Sequence, residues 1–291
     1  MICRICGNEI IKGKYVIKKF DPPLFVWKCS RCGFLFQETD SEKASSYYTK
    51  EYYEGGAYYS YMDERAEESA CRVVWKKRFF KWAGWDMTGI GNGKFLDVGC
   101  SFGGLMKVAE EFGYRSYGME VSVYSGNYSR ERFGKGSVYT GNVENIKLPE
   151  NEFSIVSLIE VIEHISDVKK ALGNIYSSMK KGGVIIVQTA DMDGLQAKFL
   201  GSGYGYFLPG HLSYFSRRTL SAVLKSAGFM NVKFIGGVEF GLIPKLIKSS
   251  FKFKKWTDYL RWFKISIYHL MSKVAVGRFH LTSSMVMAAW K

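Results

Sequence analysis

The sequence has no apolar run approaching the roughly 18 residues a membrane-crossing helix needs, which excludes an integral membrane protein built on such helices. Its opening segment, MICRICGNEI, lacks the apolar core of a secretory signal, so the reading is a cytoplasmic protein. Acidic residues are scarce, 27 against 41 Lys and Arg, and the shortage is uneven. Residues 244–278 carry nine Lys or Arg against Asp258 alone, which leaves +8 of the formal +14 in that segment. Such a charge points to anionic partners, whether nucleic acid, acidic lipid or phosphorylated substrates, without choosing among them.

What is present starts with cysteine. Four of the six form two C-x-x-C pairs, Cys3/Cys6 and Cys29/Cys32, followed by Gly7 and Gly33. Two such turns bring four thiolates to one ion, and the spacing reads as a tetrahedral zinc site. Two disulfides or a redox pair are the alternatives, and the missing secretion signal favours zinc. With four thiolates no position stays open for substrate, so the metal's role is structural. Cys71 and Cys100 read as buried small apolar residues.

Three segments follow. Residues 1–37 form the ribbon, with strand-like KYVIKKF and LFVWKC. Residues 38–88 are a tyrosine-rich linker and lid, SSYYTKEYYEGGAYYSY, leading into helical spacing through Ala66, Ala70, Val73, Val74 and Lys77. Residues 89–291 alternate short apolar strands (KFLDV, SYGMEV, SVYTGNV, FSIVSLIE, GVIIVQTA) with helical stretches, the pattern of a doubly wound α/β sheet. Two later strands, NVKFIGGVEF and SSMVMAAWK, bracket the basic insert at about 244–278. Within it Phe253, Trp256, Tyr259, Leu260, Phe263, Ile267, Leu270, Met271 and Val274 recur at helical spacing. That pattern suits a helix packed over the sheet edge or in a dimer contact, or one lying on an anionic membrane surface. Nucleic acid is the less favoured partner.

The turn in KFLDVGCSFGG admits three readings. Gly99-x-Ser101-x-Gly103 matches a hydrolase nucleophile elbow, but KFLDV is the first good strand and no H-G-G-G-type oxyanion segment precedes it. The spacing of Gly99, Gly103 and Gly104 does not give G-x-G-x-x-G, which removes a dinucleotide fingerprint. The third reading begins at Asp97. From there LDVGCSFG resembles the first motif of class I S-adenosylmethionine-dependent methyltransferases, D/E-x-G-x-G-x-G, with Ser101 in place of the middle glycine. The branch it resembles carries a zinc ribbon ahead of the catalytic domain.

The resemblance implies a Rossmann-like sheet, mostly parallel with an antiparallel last strand, that binds S-adenosylmethionine. It implies cofactor contacts from Asp97, Gly99, Ser101, Gly103, Glu120, Val121, Asn142, Val143 and Ile159. Glu120, in GMEVS and 23 residues after Asp97, suits the ribose hydroxyls. Asn142 stands where the family has an acid that contacts adenine, and its amide can still accept a hydrogen bond.

Catalytic candidates lie where open α/β sheets hold ligands, at the strand ends: Glu160, Glu163, His164, Asp191 and His211. Residues spaced i, i+3 and i+4 share a face if a helical turn starts at Glu160. The E-x-x-E-H pattern with a later histidine resembles small-RNA 2′-O-methyltransferases, and E-x-x-E-H also resembles ubiquinone-pathway O-methyltransferases. That likeness implies a divalent ion at Glu160, Glu163, His164 and His211, acting as a Lewis acid. His164 as a metal-free base, or in an orienting role, stays open beside it. His269 and His280 read as bystanders. The expected function is methyl transfer to a small-molecule hydroxyl on a sugar or a glycan or lipid-linked intermediate. The alternatives are an RNA-modifying methyltransferase and a non-catalytic nucleic-acid-binding protein with a vestigial fold.

Overall fold

A computed structural model describes residues 2–9, 13–37, 48–54, 65, 68–87, 93–236, 256–257, 259–260, 263, 275–276, 279–280 and 284–291. The chain begins with three short antiparallel strands, β1 (Gly13–Ile17), β2 (Leu24–Lys28) and β3 (Leu35–Gln37). Helices α1 (Lys50–Glu54) and α2 (Glu68–Ala83) lead to β4 (Lys94–Val98). Strands and helices then alternate: α3 (Gly104–Glu111), β5 (Arg115–Glu120), α4 (Val123–Phe133), β6 (Val138–Thr140), β7 (Phe153–Ile159), α5 (Val168–Ser178) and β8 (Met179–Ala190). Next come α6 (Leu195–Leu200), β9 (Ser213–Tyr214), α7 (Arg217–Ser226) and β10 (Met230–Gly236). The small hairpin β11 (Ala275–Val276) and β12 (Phe279–His280) precedes β13 (Ser284–Trp290).

The main sheet has the order β10-β13-β8-β7-β4-β5-β6. From β8 to β6 every pairing is parallel, while β13 runs antiparallel to both β8 and β10 and lies between them. The antiparallel last strand therefore fits the expected Rossmann-like class. Strands β7 and β8 are buried along nearly their whole length because helices cover both faces, which is why they read as continuous apolar runs. The predicted strand at 137–143 is shorter, since Gly141 at φ 125° turns the chain after Thr140.

One expectation needs correction. Helix α2 does not present the predicted face: Val73 is 70% exposed, whereas Cys71, Trp75, Phe79 and Trp82 are buried. The aromatic residues decide the helix's rotation because each buries far more area than a valine. Ala66 lies outside the described residues. The strands of the ribbon do not have a sheet to themselves. They continue into the main domain through β9, in the order β1-β2-β3-β9.

Most of the basic insert lies outside the described residues. Those that are described, Trp256, Tyr259, Leu260 and Phe263, are helical and exposed.

Phe79 is fully buried, with ring contacts to Phe95, Phe112 and Tyr114 at 5.1–5.4 Å. Phe79→Ala is expected to lower unfolding stability by about 3–5 kcal/mol. Its exposed neighbour gives the control: Phe80→Ala is expected to stay within about 0.5 kcal/mol. Denaturant unfolding of the two variants checks the assignment of the helix face.

Candidate active site

The cleft opens at the carboxyl ends of β4, β5, β6 and β7 and has a volume of about 280 Å³. Its floor begins at the turn after β4. Gly99 has φ 77°, and a Cβ there would meet Val161 Cγ2 at 2.4 Å, so glycine is required for both conformation and space. Ser101 also takes a left-handed conformation, at φ 49°. The Ser101 and Ser122 amides donate to the two oxygens of Glu120 at 2.8 and 2.9 Å. Burial pushes the Glu120 carboxyl up, and these backbone donors oppose the shift. Asp97, at the end of β4, accepts a hydrogen bond from Ser157 at 2.6 Å.

The predicted cofactor residues Asp97, Gly99, Ser101, Glu120, Val121, Asn142, Val143 and Ile159 all line this cleft. Gly103 is not among the lining residues. A Cβ on Gly103 would meet Phe133 Cε2 at 2.3 Å, so its constraint is helix packing. The buried Ser101 hydroxyl has no hydrogen-bond partner among the described residues. An unfilled hydroxyl at the cleft wall, beside a turn whose glycine leaves no room for a side chain, fits a ligand that approaches the backbone closely. These residues would hold S-adenosylmethionine, with Glu120 offering its remaining lone pairs to hydroxyls.

The other end of the cleft holds the E-x-x-E-H residues, arranged differently from the expected shared helical face. Glu160 leaves β7 at φ 55°, and a single 3-10 turn, Ile162–His164, follows. Glu163, His164 and His211 converge, each offering a ligand atom within 4.8 Å of the others. Glu160 lines the same cleft but stands outside that group, held by Gln188 at 3.0 Å and by the Tyr206 hydroxyl at 2.9 Å. The Tyr206 hydroxyl also bonds Glu163, while Thr189 donates to the second Glu163 oxygen at 3.0 Å. Burial and the neighbouring Glu163 push the Glu160 carboxyl up to about 7.

The imidazoles are fixed as well. His164 Nδ1 contacts the Gly210 carbonyl and His211 Nδ1 the Tyr206 carbonyl, both at 2.8 Å. A carbonyl only accepts, so each Nδ1 carries the proton and each Nε2 keeps its lone pair. Burial lowers both imidazole pKa values, and for His211 the neighbouring His164 adds to the effect. Two neutral imidazoles and a carboxylate suit a divalent cation, and they equally suit proton acceptance.

Asp191, a strand-end candidate in the sequence, is turned to other work. It is buried in an ion pair with Arg217 at 2.7 Å and does not line the cleft. Several lining residues had no individual signal in the sequence: Tyr48, Tyr52, Tyr53, Trp75 and Glu144. The three tyrosines come from the tyrosine-rich segment expected as a lid. Tyr53 reaches Glu120 at 3.5 Å, and the Tyr48 ring meets His164 edge-on at 5.5 Å, so they span the cleft from end to end.

The four ribbon cysteines also converge. Sulfur separations are 3.6 Å for Cys3–Cys32 and 3.5 Å for Cys6–Cys29, far longer than the roughly 2.05 Å of a disulfide. They approach the ~3.8 Å edge of a tetrahedron with zinc–sulfur bonds of about 2.3 Å. Gly7 and Gly33, at φ 70° and 78°, close the two turns by donating to the Cys3 and Cys29 carbonyls. This donor set fits zinc.

Comparison with known proteins gives a consistent picture. The family described as Methyltransferase domain matches residues 62–233. Phosphoethanolamine N-methyltransferase 2 of Caenorhabditis elegans is 26% identical over 152 residues, covering 47% of this chain and 32% of that protein. A ubiquinone biosynthesis O-methyltransferase of Bradyrhizobium sp. (strain ORS 278) is 29% identical over 99 residues, covering 33% of this chain and 39% of that protein. The chain thus spans less than half the length of these curated relatives. Among solved structures, a SAM-dependent methyltransferase from Archaeoglobus fulgidus aligns with TM-score 0.54 at 20% identity, covering 81% of this chain and all of that one. Phosphoethanolamine N-methyltransferase 2 of Haemonchus contortus, in complex with S-adenosyl-L-methionine, aligns with TM-score 0.55 at 16% identity over 92% of this chain and 63% of that one. At these identities the structures establish the fold.

If the cysteine cluster holds zinc, the purified protein carries the metal stoichiometrically and Cys29→Ser loses it, with a lower Tm. Elemental analysis paired with thermal unfolding checks both outcomes. A wild-type protein free of zinc yet equally stable would refute the assignment.

Proposed function

The chain belongs to the methyltransferase domain family, and on that premise we propose that it transfers a methyl group from S-adenosylmethionine to a hydroxyl of a small-molecule acceptor. The sulfonium donor, when bound, supplies an already activated methyl group. What remains for this chain is to hold donor and acceptor in line and to weaken the acceptor's O–H bond. Asp97, Ser101, Glu120 and Asn142 fit the first task at the donor end. Glu163, His164 and His211 fit the second, because each offers a ligand atom within 4.8 Å of the others. A divalent ion held there would act as a Lewis acid on the hydroxyl; without one, His164 Nε2 is the base.

One observation carries the choice of acceptor class. Among the described residues lining the cleft are five carboxylates, Asp97, Glu120, Glu144, Glu160 and Glu163, and no lysine or arginine. In a chain of formal charge +14, the interior of the site is the acidic exception. Without a metal ion, a phosphate or carboxylate at the reacting end would sit among like charges with no cationic side chain among the described lining residues to pair it. The cleft therefore favours a neutral polyhydroxyl end, such as a sugar of a glycan or lipid-linked intermediate, over the backbone of RNA. The intact Gly99 turn and the unfilled Ser101 hydroxyl speak against a vestigial fold.

The donor half is tested by calorimetry with S-adenosylhomocysteine. Glu120→Gln preserves shape but removes charge and one acceptor oxygen, and is expected to weaken binding about 10- to 100-fold. Absence of binding to the wild type would remove the enzymatic reading. For the acceptor half, transfer of a labelled methyl group is compared on sugar diols, amines and RNA. Label appearing only on RNA would overturn the assignment.

The basic segment suits a peripheral site on the inner face of an anionic membrane, a reducing compartment where the four thiols stay available for metal. No described helix is long and apolar enough to cross a membrane. Trp256, Tyr259, Leu260 and Phe263 stand at i, i+3, i+4 and i+7 and are 73, 57, 40 and 59% exposed. An apolar helical stripe within a segment of charge +8 matches an interface of acidic headgroups over acyl chains. Binding to phosphatidylglycerol vesicles, weak on phosphatidylcholine, is expected to fall at least about tenfold in the double variant Trp256→Ser, Phe263→Ser. Equal binding to both lipids, or none, would reject the surface.

A further inference from the structure

The ribbon and the acceptor end of the cleft are built on opposite sides of one loop. On the ribbon side, the Cys29 amide donates to the Phe34 carbonyl at 2.9 Å, and the Phe34 ring packs on Phe36 and Phe215 with centroids at 5.8 and 5.3 Å. Strand β3 then pairs with β9, Leu35 opposite Tyr214 and Phe36 opposite Ser213. On the cleft side, the Leu212 amide donates to the Glu163 carbonyl at 2.8 Å, and the Gly210 carbonyl accepts the proton of His164 Nδ1. The loop between these contacts carries His211.

Gln37 is the residue that grips the loop. It is 1% exposed. Its backbone amide donates to the Leu212 carbonyl at 3.0 Å, and its side-chain Nε2 donates to the Leu208 carbonyl at 2.7 Å and to the Tyr214 hydroxyl. Both protons of the side-chain amide are therefore used, and a flipped amide would set oxygen against the Leu208 carbonyl. That carbonyl also accepts the backbone N–H of His211 at 3.1 Å. Any shift of Leu208 thus moves His211 directly, and moves Gly210, whose carbonyl holds the His164 tautomer.

We propose that the N-terminal ribbon is a positioning element of the catalytic cluster, and that Gln37 is the positioning residue that sets the loop carrying Gly210 and His211. The ribbon backs the loop behind the acceptor end, and its cysteine cluster reaches the two imidazoles through Phe34, β3 and Gln37. Arg218 adds a second tie from α7, donating to the Cys32 carbonyl at 2.8 Å. The functional consequence rests on the reading of Glu163, His164 and His211 as the acceptor-activating end. The positioning itself is read from imidazole spectra, so the two can fail separately.

The test uses full-length protein and long-range nitrogen–proton NMR of the histidine rings, which distinguishes a locked Nδ1–H tautomer from an averaged one. Wild type is expected to show the locked pattern for His164 and His211. Gln37→Met, similar in size but without donors, is expected to average both, while S-adenosylhomocysteine affinity changes less than about twofold, as for independent sites. A merely structural loss would instead lower affinity and stability together and leave the tautomers locked in the folded fraction. Unchanged locked patterns in Gln37→Met overturn the proposal. Should the variant fail to fold, hydrogen exchange on the wild type decides. Amides of residues 35–37 and 212–214 are expected to exchange as one unit, and separate exchange of the two segments overturns the proposal equally.

Discussion

Glu120 holds the site together. Its carboxylate is buried at the end of β5 and accepts the amides of Ser101 and Ser122, the first in the left-handed turn after β4 and the second at the start of α4. One side chain therefore joins the glycine turn, the strand beside it and the next helix. The arrangement needs β4 and β5 to be parallel neighbours, because only then do their carboxyl ends open on the same side. It also needs Gly99, since any side chain there would strike Val161. Removing the clamp would leave two buried amides without acceptors, which costs more than the bonds themselves contribute.

The same placement explains the charge contrast between site and surface. Strand ends in an open sheet collect carboxylates from separate stretches of chain, here Asp97, Glu120, Glu144, Glu160 and Glu163. They are held by backbone amides, by hydroxyls of Ser157, Ser166, Thr189 and Tyr206, and by the amide of Gln188. Acids gathered in a half-enclosed cleft favour a ligand that brings positive or neutral polar groups, and the sulfonium donor brings positive charge. The basic residues lie outside, where they act on partners at longer range.

Much of this was legible before the structure. The first motif, the acid 23 residues later and the alternating apolar runs identify the sheet and the donor side of the cleft, because those features depend on neighbours within a few residues. The two C-x-x-C turns were legible for the same reason. Helix α2 was misread because Val73 and the aromatic residues compete for one buried face, and area decides it. Asp191 was misread because Arg217, 26 residues away, claims it. Nothing periodic or spaced marks Tyr206, Gln37 or Glu144.

By itself the sequence determined the fold class, the glycine turn, the strand-end carboxylate of Glu120 and the four-thiol cluster, since each is written in local spacing that backbone geometry turns directly into position. Only the tertiary structure decided that the ribbon shares a sheet with β9 and that Glu160 stands apart from Glu163, His164 and His211. Those relations join residues as far apart as Leu35 and Tyr214, paired between β3 and β9. They exist because buried donors and acceptors must find partners wherever packing brings them, and no local pattern records that requirement.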